Sequence, residues 1–426
     1  MVIRETAIDA ETSNPEANAG SDGDHGSVTD GLTSERTPVL DRRFMEVVPI
    51  TWETVSWSVL LALAAVARFY MLGARAMSHD ESLHALYSYY LYNAGNYTHD
   101  PMMHGPFLFH INALMYFLFG DSDTTARLAP ALAGIGVVAM VIPFRRYIGR
   151  LGALAAGVLV AFSPSILFHS RYIRNDIYIA LFAMVWIYAA FRYLEAQNAQ
   201  RRRWLMIMAF AMALGFATKE NNFILGALMG AFFALLALWQ VIGSRAYIVA
   251  LPIVAGASAG FTFYEAGWTS FATVPVAAGV IIAFGLLVYW LRGEKWHRLR
   301  RNRAADLTVM MLTLVLPFAA PIGHALMGWD PMATATTTDM VRSVGLVALM
   351  IGVSFGISYF WFSMRSQEDF PAGVTWSQWA QAMGMFWLIE ILLFTTFLTN
   401  TRDGLASGIV GSLGYWLAQQ EVQCIP

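Results

Sequence analysis

The sequence predicts an all-α polytopic membrane protein, a bundle of about twelve transmembrane helices. Three observations carry that prediction. Of 426 residues, 57% are apolar and only 13% are charged, against about 25% charged in a typical soluble domain. Mean hydropathy is +0.51. The apolar residues also gather into runs of roughly 20, the length a helix needs to cross the hydrocarbon. Together these exclude a soluble enzyme, a disordered chain and a coiled coil. A net charge of −2 fits no polyanion, so no nucleic-acid partner is expected. The one cysteine, Cys424, excludes a disulfide framework and a thiolate zinc site.

The elements follow in order. Residues 1–45 read as a disordered, acidic, cytoplasmic tail. The first forty hold eight acids and two arginines and almost no large apolar residue. Such a segment cannot bury enough surface to offset its ordering entropy. It lacks the 7–15-residue apolar stretch of a signal peptide. The first long apolar run, about 54–73, therefore serves as an uncleaved anchor, and 46–426 form the membrane domain. Further spans are expected at about 126–144, 151–168, 176–194, 204–218, 222–242, 246–264, 271–291, 307–327, 341–364, 380–399 and 405–420.

Residues 106–119 (PFLFHINALMYFLF) are too short to span and contain His110 and Asn112. A surface helix suits them better. With that helix on the surface, four basic clusters share one side. They are Arg42 with Arg43; Arg145, Arg146 and Arg150; Arg192 with Arg201 to Arg203; and Arg292 through Arg303. The positive-inside rule makes that side cytoplasmic. The N-terminus is then cytoplasmic, and 74–125 becomes the first extracytoplasmic loop, with juxtamembrane helices.

This topology sorts the polar residues. Seven of nine histidines fall near the outer face: His79, His84, His99, His104, His110, His169 and His324. Three constellations stand there. One is Ser78-His79-Asp80-Glu81-Ser82-Leu83-His84, followed by a tyrosine-rich segment and Thr98-His99-Asp100-Pro101-Met102-Met103-His104-Gly105-Pro106. The others are Ser170-Arg171-Tyr172-Ile173-Arg174-Asn175-Asp176 and Thr218-Lys219-Glu220-Asn221-Asn222. Acids and bases at membrane depth are costly and are functional candidates by default.

Each constellation also has a structural reading. Asp80 and Glu81 suit the first turn of a helix capped by Ser78. Arg171, Arg174 and Asp176 could be an ion pair at a turn, and Lys219 with Glu220 a snorkelling pair. The tyrosines suit an interfacial belt. A metal reading is open as well. Glu81-x-x-His84 shares a helix face, and His99 and Asp100 add nitrogen and oxygen donors for a divalent cation such as Mg or Mn. The H-E-x-x-H zincin spacing is not met.

The shared side of the acids and bases suggests a chemistry. A carboxylate just outside the membrane can accept a proton from a hydroxyl. Basic side chains can hold a phosphate, and apolar helices can hold a lipid tail. Transfer from a lipid-phosphate donor would use all three.

The motifs resemble the GT-C superfamily of membrane glycosyltransferases. The matching features are the first-loop Asp80-Glu81 pair, the His104-Gly105-Pro106 segment before a short helix, and Asp121-Ser-Asp-Thr-Thr-Ala-Arg127-Leu-Ala-Pro130. R-x-x-R-N-D at 171–176 and T-K-E at 218–220 complete the set. Within the superfamily the chain is similar to the protein O-mannosyltransferase and aminoarabinose-transferase branch. More narrowly, it resembles a prokaryotic flippase-activity-associated family with the motif H-D-E-S-x-H-A, present here as residues 79–85.

The resemblance implies an inverting transferase that takes a sugar from a polyprenyl phosphate. The acceptor would be a hydroxyl on a protein, lipid or glycan, at the extracytoplasmic face of the cell membrane. It implies Asp80 as catalytic base, Glu81 as the neighbour that organises the site, and Asp176 as the second acidic position. Arg171, Arg174 and Lys219, with Glu220 and His104, fall where relatives contact the lipid-linked phosphate. Relatives continue beyond the point where this chain stops, so a C-terminal truncation is an expectation. The alternative class is a flippase or flippase-associated subunit. Transporter sites, however, lie at the midplane of repeated halves, and no internal repeat is visible.

Overall fold

The first span, α1 (Trp52–Phe69), starts with an acid, Glu53, and ends with Arg68. The computed structural model describes residues 51–197, 199–265, 269–330, 336–365 and 373–422. The acidic tail expected at 1–45 lies outside them. Helix without strand follows throughout the described residues, as an all-α membrane chain requires, since only helices and closed barrels satisfy every backbone group in lipid.

Two helices of the first loop come next: α2 (His79–Ala94) and α3 (Phe107–Phe119). The second is a 13-residue apolar helix, shorter than the helices long enough to cross a membrane. Its Leu108, Phe109 and Asn112 are fully buried beneath the loop.

Then come α4 (Leu128–Ala139), α5 (Val141–Phe162), α6 (Asp176–Glu195), α7 (Ala199–Phe216) and α8 (Asn221–Ile242). Within α5 the helix breaks at Gly149, whose φ of 76° and ψ of 168° a residue with a Cβ rarely adopts. Arg145, Arg146 and Arg150 flank that break. Later helices are α9 (Arg245–Glu265), α10 (Thr269–Trp290), α11 (Arg303–Val315), α12 (Thr337–Ser358), α13 (Trp376–Phe394) and α14 (Ser412–Val422).

Seven of the described helical runs are long and apolar enough to cross a membrane, or eight if the bent pair Val274–Trp290 with Glu294–Arg300 is one span. The expected twelve are not all of that kind. The run at α7 opens with three arginines, and the stretch expected at 405–420 is divided. It comprises a short helix, Thr401–Leu405, a π-helical turn, Ala406–Gly411, and α14.

One core cluster joins α6, α7, α11 and α13 through Trp186, Leu205, Met212, Met310, Trp379 and Phe386, all fully buried. A second lies under the first loop around Leu108, Phe109 and Ile173. The bundle has two chemically distinct ends. At one end Arg145 and Arg150 pair with Glu53, while Arg146 and Arg192 pair with Glu195. Asp176 stands at the other end of the 20-residue α6, about 30 Å away at 1.5 Å per residue.

Candidate functional site

The site grows from three turns at that second end. The first is the start of α2. Ser78 caps the helix, and Ser78 and Glu81 form a reciprocal capping box, the arrangement that satisfies two orphan N–H groups at once. This fixes the first turn and leaves Asp80 half-exposed, its carboxylate 44% accessible.

The second turn is 170–176, before α6. Arg174 donates from Nη1 to Asp80 Oδ2 at 2.6 Å and lies 3.9 Å from Asp176 Oδ2 through Nε. The third is 217–220, before α8. Lys219 Nζ donates to Asp176 Oδ1 at 2.7 Å, and His169 Nδ1 stands 3.9 Å from Asp176 Oδ2. Asp80, Arg174, Asp176 and Lys219 thus form one chain of alternating charge across three distant segments.

Glycine makes the third turn approach the loop. A Cβ on Gly105 would lie 2.2 Å from the carbonyl oxygen of Ala217. With no side chain, Gly105 N–H donates to Thr218 O at 3.1 Å and Phe107 N–H to Ala217 O at 2.9 Å. That contact carries His104 to Glu220, with Nδ1 2.8 Å from Oε2. His104 also stacks on Trp416 of α14, centroids 5.1 Å apart.

Glu81 occupies a different environment from its neighbour. It is fully buried, and both oxygens are taken. Arg127 donates to Oε1 at 2.9 Å and Oε2 at 3.1 Å, and Arg75 to Oε2 at 2.6 Å. Two backbone N–H groups, of Ser78 and Ile173, add further bonds. Glu81 ties the loop to the bundle. Arg127, 1% exposed, lies in the Asp121–Pro130 motif, and its role as the partner of a buried acid comes from the tertiary contact alone.

Arg171 is not brought to the carboxylates. It donates to the carbonyls of Ala67, Arg68 and Met71 at the end of α1, where a cation complements the helix dipole. Nor are the four candidate metal donors gathered. Glu81 is saturated by arginines. His84 bonds the Asp80 carbonyl through Nδ1. His99 bonds Ser407 and the His104 carbonyl, and Asp100 accepts from Met102 N–H. Among the described residues no group of three or more His, Cys, Asp or Glu could hold a metal ion. These donors do not fit a shared cation.

Burial explains the histidines. His99 is 3% exposed, and its pKa is pushed down to about 3 by burial, against a raising effect of the His104 carbonyl. His84, stacked on Phe109, is lowered as well, again chiefly by burial. Two pockets adjoin the site. One of about 440 Å³ is lined by Tyr87, Tyr97, His99, Asp100 and Phe109 among others. The other, about 560 Å³ and apolar, runs along Phe216, Phe223, Ala227, Met311 and Leu312.

Residues 103–262 match the model of a family described as dolichyl-phosphate-mannose-protein mannosyltransferase. The matched segment covers less than half of the chain and takes in part of the motifs on which the resemblance rests. The matched region contains His104, Arg127, Arg174, Asp176, Lys219 and Glu220; Asp80 and Glu81 precede it. No curated protein matches the sequence.

Among solved structures, similar chains include ArnT from Cupriavidus metallidurans in the apo state. It has 19% identity and a TM-score of 0.37, over 88% of this chain and 81% of that one. The same protein bound to undecaprenyl phosphate gives 18%, 0.38, 87% and 81%. An archaeal oligosaccharyltransferase, AglB from Archaeoglobus fulgidus, in complex with an inhibitory peptide and a dolichol-phosphate, gives 13%, 0.39, 89% and 51%.

Proposed function

We propose that the protein transfers a sugar from a polyprenyl phosphate to a hydroxyl on a protein or glycan, at the extracytoplasmic face of the membrane. The observation that carries this reading is the convergence of Asp80, Arg174, Asp176 and Lys219 at one end of an apolar bundle. Much of that set lies within a segment matching a mannosyltransferase family.

In the proposed step, Asp80 takes the proton of the acceptor hydroxyl as its oxygen attacks the anomeric carbon. The bond from that carbon to the donor phosphate breaks, with inversion. The phosphate leaves with the electron pair, and Arg174 and Lys219 stabilise its charge. Such preorganised electrostatics are commonly the largest single contribution to catalysis. Asp176 holds Lys219 in place. The apolar pocket beside Phe216 and Phe223 begins just beyond the Lys219–Glu220 turn and suits a prenyl chain. The arginine-rich end opposite the cluster supports an outward orientation of the site, by the positive-inside rule.

The test is a reconstituted assay in proteoliposomes with labelled polyprenyl-phosphate sugars and a panel of hydroxyl acceptors. Transfer is expected from the parent chain and not from Asp80→Asn, with both proteins equally expressed. Full transfer by Asp80→Asn would overturn the assignment of the base. Lipid translocation without transfer would replace the transferase by a flippase.

A further inference from the structure

A pocket of about 370 Å³ lies apart from the carboxylate cluster, lined by Leu72, Arg75, Pro164, Leu167, Phe168 and Arg171. It shares no lining residue with that cluster. Its chemistry is two guanidiniums over an apolar floor. Arg75 is held in place by Glu81 on one side and by the rings of Phe168 and Tyr172 on the other, at 5.9 and 5.4 Å from the centroids. Arg171 is anchored by the carbonyls that end α1.

A charge excess accompanies the pocket. Three guanidiniums, of Arg68, Arg127 and Arg171, bond carbonyls of the chain between Ala64 and Arg75, and Arg75 itself is a fourth beside them. Arg127 donates to the carbonyls of Leu72 and Arg75, and Arg171 to those of Ala67, Arg68 and Met71. Arg68 itself is fully buried, with Nε and Nη2 lacking any hydrogen-bond partner. Among the described residues, the carboxylate ion-paired with any of these four is Glu81 alone, and it pairs with Arg75 and Arg127. Buried and half-buried positive charge in such excess calls for an anion. Around the pocket, Tyr70, Met71 and Phe168 are exposed at 68%, 61% and 49%, as suits the interfacial depth of a bilayer.

We propose that this pocket binds the phosphate of an anionic membrane phospholipid. Arg75 and Arg171 hold the phosphate oxygens, and an acyl chain lies along Leu167 and Phe168. It is not the sugar-donor site, because no free carboxylate lines it to serve as base: both oxygens of Glu81 already accept N–H donors. The proposal needs only the membrane setting and is read by lipid binding, so it stands or falls separately from the transferase reading.

The experiment uses the full chain purified in detergent, incubated with phosphatidylglycerol or phosphatidylcholine, with retained lipid counted by native mass spectrometry and melting followed in parallel. The parent chain is expected to retain phosphatidylglycerol in preference to phosphatidylcholine and to melt higher with it. Loss of charge-assisted hydrogen bonds should lower retention about tenfold in Arg75→Gln/Arg171→Gln. Because that double variant also touches Glu81 and the end of α1, Leu167→Glu is the second arm. It keeps both arginines in the chain and places beside them a carboxylate that repels the phosphate and competes for the guanidiniums, and the same loss is expected. Undiminished phosphatidylglycerol retention by folded Leu167→Glu would overturn the site. Equal retention of phosphatidylcholine would overturn its charge selectivity, and an equal melting rise with inorganic phosphate alone would overturn the lipid assignment.

Discussion

Arg174 bonds Asp80 at 2.6 Å across 94 positions of sequence, and the same guanidinium stands 3.9 Å from Asp176. One arginine therefore faces both carboxylates of the candidate site. If it also receives the donor phosphate, Arg174→Gln should raise KM for the polyprenyl-phosphate sugar about tenfold or more, the usual loss for a charge-assisted hydrogen bond. Arg174→Lys should restore part of it, since lysine keeps the charge but not the planar fork. Steady-state kinetics over a range of donor concentrations checks both; an unchanged KM in the glutamine variant would remove Arg174 from the donor site.

Glu81→Gln should act on stability rather than on chemistry. Arg127 and Glu81 are 1% and 0% accessible, so neutralising the acid leaves a buried guanidinium uncompensated. Breaking one partner of such a pair costs about 3–5 kcal/mol. The check is a denaturation midpoint in detergent, and the variant should melt well below Asp80→Asn, whose altered side chain is half-exposed.

Gly105→Ala should separate the first loop from the 217–220 turn. The new methyl would meet the Ala217 carbonyl at 2.2 Å, closer than atoms can approach, so the backbone must shift. Overpacking of this kind costs about 1–3 kcal/mol. Activity should fall further than stability, because the same shift moves His104 from Glu220. Melting and transfer assays on one preparation compare the two losses.

Stability should decline on the acid side. His99 titrates at about 3 in the fold and near 6.5 when unfolded, and His84 is shifted in the same direction. The unfolded chain thus takes up protons first. The contribution of neutral His99 is complete above pH 6.5 and is lost as pH falls from there toward 3. Melting temperature measured between pH 7.5 and 4.5 should drop in the parent chain and drop less in His99→Asn.

Much of the site was legible as residue types. Asp80, Asp176, Arg174, Lys219, His104 and Glu220 all fall at the same end of the bundle, because hydropathy and the arginine clusters sort polar residues by side. The division of labour within each motif was not legible. Asp80 and Glu81 are neighbours of identical charge, yet one faces outward and the other is buried, because the first turn of α2 rotates successive side chains by about 100°. Arg171 and Arg174 differ because 171–175 is a non-helical turn: one side chain closes the end of α1 while the other reaches the carboxylates.

The sequence by itself determined an all-helical membrane chain, a polar end set against an arginine-rich end, and a short apolar helix at about 106–119. Those follow from composition and period, which are local properties. The tertiary structure alone decided which charges meet. Glu81 finds Arg127 across 46 residues, His104 finds Glu220 across 116, and His99 finds Ser407 across 308. Ion pairing depends on ångström distances between segments that hydropathy places only on the same side. It was packing, through Gly105 against Ala217 and the buried core beneath α2 and α3, that set those distances.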